Sequence, residues 1–177
     1  MGPIGHTVIS SAVGGGVWVA TGSIAAAAVA VGVGVLMDVD HLLDYYQRFA
    51  KGKHDKIYVL FHGWEYSLAG LGVLALFFQP PIFIAAVLAH LAHVITDQWH
   101  NGFSRFGYSI TFRAIKGFNV AAIAPDRNRL ARGRKHSGRY SAERLIESAC
   151  RRVFQRWSKI QTNEKPSDEP AAPKIDD

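Results

Sequence analysis

The residues with the most chemistry in them fall into four groups along the first hundred positions. They are His6; then Asp38, Asp40, His41 and Asp44; then His62 and Glu65; then His90, His93, Asp97 and His100. Imidazole nitrogen and carboxylate oxygen together suit Zn, Mn or Fe. Side chains of this kind, drawn from several helices of a bundle, can cradle one or two ions. Helical spacing adds a constraint: His62 and Glu65 stand at i and i+3, and His90, His93 and Asp97 at i, i+3 and i+7, so each set shares a face. Singly, each residue has a plainer reading. Asp38, Asp40 and Asp44 suit a solvated cluster ending a helix, His6 an incidental terminal residue, and His62 a cap or a hydrogen bond inside a bundle. His90 lies one turn deeper than His93 and reads as a residue that orients a ligand. His100 reads as interfacial, His54 as solvated loop, and His136, inside a basic block, as surface.

Whether the groups meet depends on the elements that carry them. Val8 to Met37 has no charged residue. As one helix it would be about 45 Å long, against a hydrocarbon core of about 30 Å. Thr21-Gly22-Ser23 supplies a turn in its middle, which predicts helices over about Ile4–Ala20 and Ser23–Met37. A second apolar region, Ile57 to Thr96, is interrupted by Gln79-Pro80-Pro81. Proline is refused inside a helix and accepted in its first turn, so helices are predicted over about Tyr58–Phe78 and Pro81–Trp99. The loop after the second helix carries Arg48, Lys51, Lys53 and Lys56, and the segment after the fourth carries Arg105, Arg113 and Lys116, whereas both turns are uncharged. Positive residues mark the cytoplasmic side, and two hairpins put both basic segments there. The same topology returns all four polar groups to one membrane face. A soluble bundle core is the competing reading, but buried soluble helices rarely run so long without charge. The expected fold is all-α: a membrane-embedded bundle of about four helices, with small residues such as Gly14, Gly32 and Gly34 allowing close approach.

Three regions follow: a membrane-embedded domain over 1–102, a basic cytoplasmic region over 103–160, and a disordered, proline- and acid-containing tail over 161–177. The net charge of +6 is concentrated between Arg127 and Lys159, where only Glu143 and Glu147 oppose the cations. Such a block implies an anionic partner. Ser141 can cap a helix from Ala142 to about Ile160. There Leu145, Ile146, Ala149, Val153, Trp157 and Ile160 fall near one face among arginines, a basic amphipathic pattern suited to an anionic membrane surface. The single cysteine, Cys150, excludes an internal disulfide and fits a reducing compartment. No Lys or Arg precedes the first apolar stretch, so that stretch is expected to stay in the mature protein.

Three short pieces resemble a known family: Gly5-His6-Thr7, Met37-Asp38-Val39-Asp40-His41 and His93-Val94-Ile95-Thr96-Asp97. In order and spacing they are similar to the bacterial inner-membrane-associated family described as metal-dependent hydrolases, which includes LexA-binding members. The likeness covers about residues 1–102. Met37 stands where the family has Pro. Phe61-His62-Gly63-Trp64-Glu65-Tyr66-Ser67-Leu68 replaces an element with Arg-Gly and a second His, so Tyr66 stands at that His and Glu65 offers a carboxylate beside it. The resemblance implies a protein of the bacterial inner membrane, and the two hairpins with their basic segments imply that it is multi-pass with a cytoplasmic C-terminus. It also implies metal ligands at His6, Asp40, His41, His62, His93 and Asp97.

The expected function is therefore a metal-dependent hydrolase at the cytoplasmic membrane surface, acting on a phosphoester or lipid. Its cofactor is a divalent ion, Zn first and Mn or Fe next, and Glu65 or Asp38 serves as general base or bridging carboxylate. Partners are membrane lipids, with an anionic lipid or acidic protein engaged through Arg127–Lys159. The alternative is a non-catalytic membrane protein that recruits an acidic partner, or less favourably nucleic acid, through that basic region. A transporter, which needs polar groups deep in the bilayer, ranks last because the visible ones gather at one end.

Overall fold

Helix α1 (Pro3–Thr21) opens with proline in its first turn and closes on Gly22, whose φ of 71° lets its N–H return to the Trp18 carbonyl. Ser23 then caps α2 (Ile24–Leu36), its hydroxyl accepting from Ala26 N at 3.2 Å. The predicted turn thus has its physical basis in one left-handed glycine and one serine cap. In the computed structural model, residues 2–77, 79–101, 103–125 and 141–163 are described. All regular structure among them is helical, with one isolated bridge between Lys56 and Asn119.

Helix α2 does not stop at the predicted boundary. It tightens into a 3-10 turn, Met37–Asp40, and runs on as α3 (His41–Phe49). The third apolar helix, α4 (Trp64–Leu76), starts six residues later than Tyr58, its expected start. The reason is that the backbone before it is already engaged. Asp44 Oδ1 accepts from Tyr58 N and Asp40 Oδ2 from Phe61 N, while Ile57 N donates to Phe118 O. The Arg113 guanidinium donates to the carbonyls of Tyr58, Val59 and His62. Residues 51–63 consequently form an irregular strap, with β-branched Val59 buried at a φ of 35°, a conformation such residues adopt only when their surroundings impose it. Beyond it, α5 (Pro81–His100) begins at the second proline. Two short helices, α6 (Ile110–Ile115) and α7 (Val120–Ile123), and a longer α8 (Ser141–Asn163) complete the described chain.

Helices α1, α2 and α5 pack on one another around Val17, Ala26, Ala30, Ala85 and Ala89. The alanine pairs at i and i+4 give α2 and α5 flat facing stripes. Gly34 faces Ser10 so closely that an added Cβ would overlap the hydroxyl, and at Gly14 it would press on the Ala27 carbonyl. These two glycines set the close approach of α1 and α2. Helix α4 lies against α5, and α8 lies against α3, with Phe154 and Trp157 on the Tyr46 ring and the Arg151 guanidinium over Phe49.

Large apolar side chains point outward, among them Ile4, Val8, Val19, Ile24, Leu68, Leu76 and Phe77. Two helical stretches, Ile24–Phe49 and Pro81–His100, are long and apolar enough to cross a membrane. The basic residues from Arg127 to Arg139, His136, the predicted helix end at Phe78 and positions 164–177 of the predicted tail lie outside the described residues.

Candidate metal centre

Four separate segments deliver the polar groups to one end of the bundle. The first turn of α1 carries His6, one turn ahead of Ser10, so the contact of Ser10 with Gly34 also brings His6 inward. The 3-10 turn splits its two aspartates: Asp38 remains partly accessible while Asp40 is buried. The strap supplies His62 and α5 supplies His93 and Asp97; all three, like His6, are buried. Two overlapping groups of donors result, His6 with Asp38, His93 and Asp97, and Asp38 with His41, His62 and Asp97.

The two innermost histidines are each fixed from behind. His62 Nδ1 lies 3.1 Å from Asp40 Oδ2, and His93 Nδ1 lies 2.8 Å from the Gly34 carbonyl. Both partners are acceptors, so both Nδ1 atoms carry the hydrogen and both Nε2 atoms present lone pairs. Those Nε2 atoms face each other at 2.9 Å. Two lone pairs at that separation repel unless a cation sits with them, either a proton or a metal ion. The ring of carboxylates favours either. Burial opposes a charged His62, but the hydrogen-bonding Asp38 and Asp40 carboxylates outweigh it and hold this imidazole up at about 9.

The donor set also has the dimensions of a coordination shell. Asp38 Oδ1 is 3.5 Å from the Nε2 of both His62 and His93, and Asp97 Oδ2 is 3.5 Å and 3.8 Å from the same two atoms. Four donors spaced about 3.4 Å apart in a tetrahedron lie about 2.1 Å from their common centre, which is the reach of a zinc–nitrogen bond. The buried cluster can hold a metal ion. Carboxylate and carbonyl partners behind the histidines, at Asp40 and Gly34, are what orient such ligands in metal sites generally.

Not every expected residue joins the cluster. Asp40 stands behind His62 with its Oδ2 engaged by that ring and by Phe61 N. Glu65 faces away: its carboxylate accepts from Ser109 Oγ at 2.6 Å and from the backbone N–H groups of Ile110 and Thr111 at 3.0 Å each, capping α6. Asp38, expected as a base or bridge, sits among the ligand atoms, and His41 lies at the rim with Nε2 3.7 Å from Asp38 Oδ1. His90 bonds Ser67 Oγ at 2.7 Å and the Phe61 carbonyl at 3.0 Å, which ties α4 and α5 to the residue next to His62. His100 bonds the Thr96 carbonyl of its own helix, and His54 is exposed in the strap.

Two functional candidates come from beyond position 102. Tyr108 is buried, takes a 2.6 Å hydrogen bond from Asn101 Nδ2, and directs its hydroxyl to Asp97 Oδ2 at 3.4 Å. Burial and the neighbouring Asp97 carboxylate push the phenol well above its ordinary range, so it stays a donor. Arg113, fully buried, holds the strap by its carbonyls, including that of His62. Neither residue shows a helical spacing to the histidines; the signal available was a lone Arg among apolar neighbours, Ile110, Phe112 and Ile115. No protein-family model matches the chain, and no curated protein or solved structure matches it.

Proposed function

We propose that the chain is a membrane-embedded, metal-dependent hydrolase whose site opens at headgroup level on the cytoplasmic side of the bacterial inner membrane and acts on a lipid phosphoester. The observation that carries this reading is the pair of back-fixed histidines, His62 and His93, with facing Nε2 atoms ringed by Asp38 and Asp97. A divalent cation bound there, zinc by preference, supplies Lewis acidity that polarises a phosphoryl oxygen and lowers the pKa of water. The chain's own groups do the rest. Asp38 is the accessible carboxylate of the cluster, with Oδ1 turned to the histidines; it takes the proton of the attacking water. Tyr108 holds Asp97 in place through its donated hydrogen bond.

The surroundings support this substrate class. Helix α4 is 13 residues long, about 20 Å of rise against a hydrocarbon core of about 30 Å, while α2 continues through the 3-10 turn of Asp38 and Asp40 into α3. The cluster lies at the start of short α4 and at the turn where the apolar run of α2 gives way to polar α3, which favours a depth near the lipid carbonyls and phosphates. From His41 at its rim, α3 leads to α8, where Arg151, Arg152, Arg156 and Lys159 are exposed together with apolar Val153, Trp157 and Ile160. That mixture suits an anionic interface. Four apolar helices with outward Val, Ile and Leu, and the similarity of three motifs to inner-membrane-associated hydrolases, support the same reading.

The test uses full-length protein purified in detergent, stripped by chelator and reloaded with Zn, Mn or Fe. Metal should restore hydrolysis of a lipid phosphoester, and His93→Ala or Asp97→Ala should abolish metal content and turnover together. Full metal content in either variant, or a fully loaded wild type inert towards a panel of phospholipids and lysophospholipid phosphates, overturns the hydrolase reading.

A further inference from the structure

The cluster holds more donors than one ion of the proposed kind takes. Four imidazoles and two carboxylates converge, whereas a zinc ion takes four ligands as a rule. Placing one ion among Asp38, His62, His93 and Asp97 strands His6. That ring is 1% exposed. Its Nδ1 has no hydrogen-bond partner among the described residues, and its Nε2, although 3.0 Å from Asp97 Oδ1, is not in hydrogen-bond geometry with it. A buried imidazole with its Nδ1 unpartnered and a shared carboxylate against its Nε2 has the surroundings of a metal ligand.

Resting on the reading of this cluster as a metal centre, we propose that it binds two divalent cations, His6 and His93 serving one, His41 and His62 the other, with Asp38 and Asp97 shared between them. Each of the two donor groups contains two histidines and both carboxylates, with its ligand atoms within 4.8 Å of one another. Asp97 is placed to divide its oxygens: Oδ1 faces His6 at 3.0 Å, while Oδ2 faces His62 at 3.5 Å. Asp38 offers one oxygen to both sides, its Oδ1 standing 3.5 Å from His93 Nε2, 3.5 Å from His62 Nε2 and 3.7 Å from His41 Nε2. The His6 and His93 rings stack 3.7 Å apart and within 12° of parallel, so taking up one ion together requires one ring to tilt until both ring planes pass through it. Paired ions bridged by carboxylates are a recurring arrangement for in-line displacement at phosphorus. In such a centre the unequal placement of the two carboxylates matters. Asp97 is buried and spans the pair, while Asp38 keeps its second oxygen for the proton of the attacking water.

The experiment counts metal in the full-length, detergent-purified chain after chelator stripping and dialysis against Zn2+. Two equivalents per chain are expected for wild type, and one each for His6→Ala and His41→Ala. His41 is partly exposed, so its variant keeps the experiment decisive if His6→Ala fails to fold. Loading with Mn2+ gives a second readout: a spin-coupled pair in the wild-type electron paramagnetic resonance spectrum and an isolated ion in His41→Ala. One equivalent in wild type, or an uncoupled wild-type spectrum, overturns the paired centre while leaving the metal-centre reading intact. Two equivalents retained in His41→Ala overturns the ligand assignment. No bound metal in wild type overturns both.

Discussion

Replacing Arg113 by leucine tests the claim that the strap, not a helix, positions His62. The guanidinium donates to Tyr58 O at 2.9 Å, to Val59 O and to His62 O at 3.1 Å. Its Nε also reaches Ser109 O at 3.4 Å. Leucine keeps much of the apolar stem but leaves three strap carbonyls without donors. An unsatisfied buried acceptor costs about 1–3 kcal/mol, and local opening to water recovers part of it. Summed over three carbonyls, less what hydration recovers, the loss is about 3–5 kcal/mol. Because the lost bonds all lie on residues 58–62, the loss should appear as local opening of the strap before global unfolding. The strap carries exposed Lys51, Lys53 and Lys56, which makes trypsin a direct probe. Cleavage at these lysines should accelerate at least about a hundredfold, since about 1.4 kcal/mol is a factor of ten. Metal affinity should fall with it, because His62 loses the anchor on its carbonyl. Equal cleavage rates and equal metal affinity in wild type and Arg113→Leu would refute the positioning argument.

Three further outcomes are expected. Asp40→Asn keeps the shape of the residue behind His62 but weakens the acceptor on its Nδ1, so metal affinity should drop about 10–100-fold in a chelator competition; unchanged affinity would place Asp40 outside the site. Metal binding should strengthen as pH rises towards about 9, the value to which the neighbouring carboxylates raise His62, because the ion must displace that ring's proton. The same elevation means that the metal-free protein has this contribution to stability in full below the ring's ordinary range and loses it as pH climbs through about 9. Zinc titrations and unfolding curves across that interval check both signs, and a flat binding profile would contradict them. Glu65→Gln should lower thermal stability by about 1 kcal/mol through a weaker cap on α6 and leave metal stoichiometry unchanged; loss of metal would return Glu65 to the centre.

Much of the scaffold is written locally. The Gly22 turn, the Ser23 cap and the Pro80-Pro81 start of α5 each depend on one or two residues whose backbone preferences hold in any context. Likewise His93 and Asp97 share a face because helical spacing alone decides it. Apolarity, by contrast, could not locate the start of α4. Tyr58 to Phe61 reads as helix by composition, and what unwinds it is a set of distant partners: Asp40, Asp44 and Arg113 compete for its backbone groups. The roles of Asp40 and Glu65 were hidden for the same reason. Each is a carboxylate close in sequence to a metal-type histidine, and proximity along the chain says nothing about which way the oxygens point. Asp40 is turned behind His62 by the 3-10 turn, and Glu65 is claimed by three donors of α6 more than forty positions away.

These long-range contacts have a common logic. The strap is the least regular element near the site, and it carries the one candidate ligand, His62, that no helix among the described residues holds. A histidine on a loop loses orientation easily, so it needs restraint from several directions. Here its ring is fixed by Asp40, its carbonyl by Arg113, and the preceding residue by His90 through the Phe61 carbonyl and by Asp40 through the Phe61 N–H. The candidate ligands on long helices, His6, His93 and Asp97, are positioned by packing and need fewer such ties. This division predicts where the centre is weakest. Mutations that loosen the strap should release metal without unfolding the bundle, whereas mutations at the α1–α2 contact around Gly34 and Ser10 should disturb the fold and His6 together.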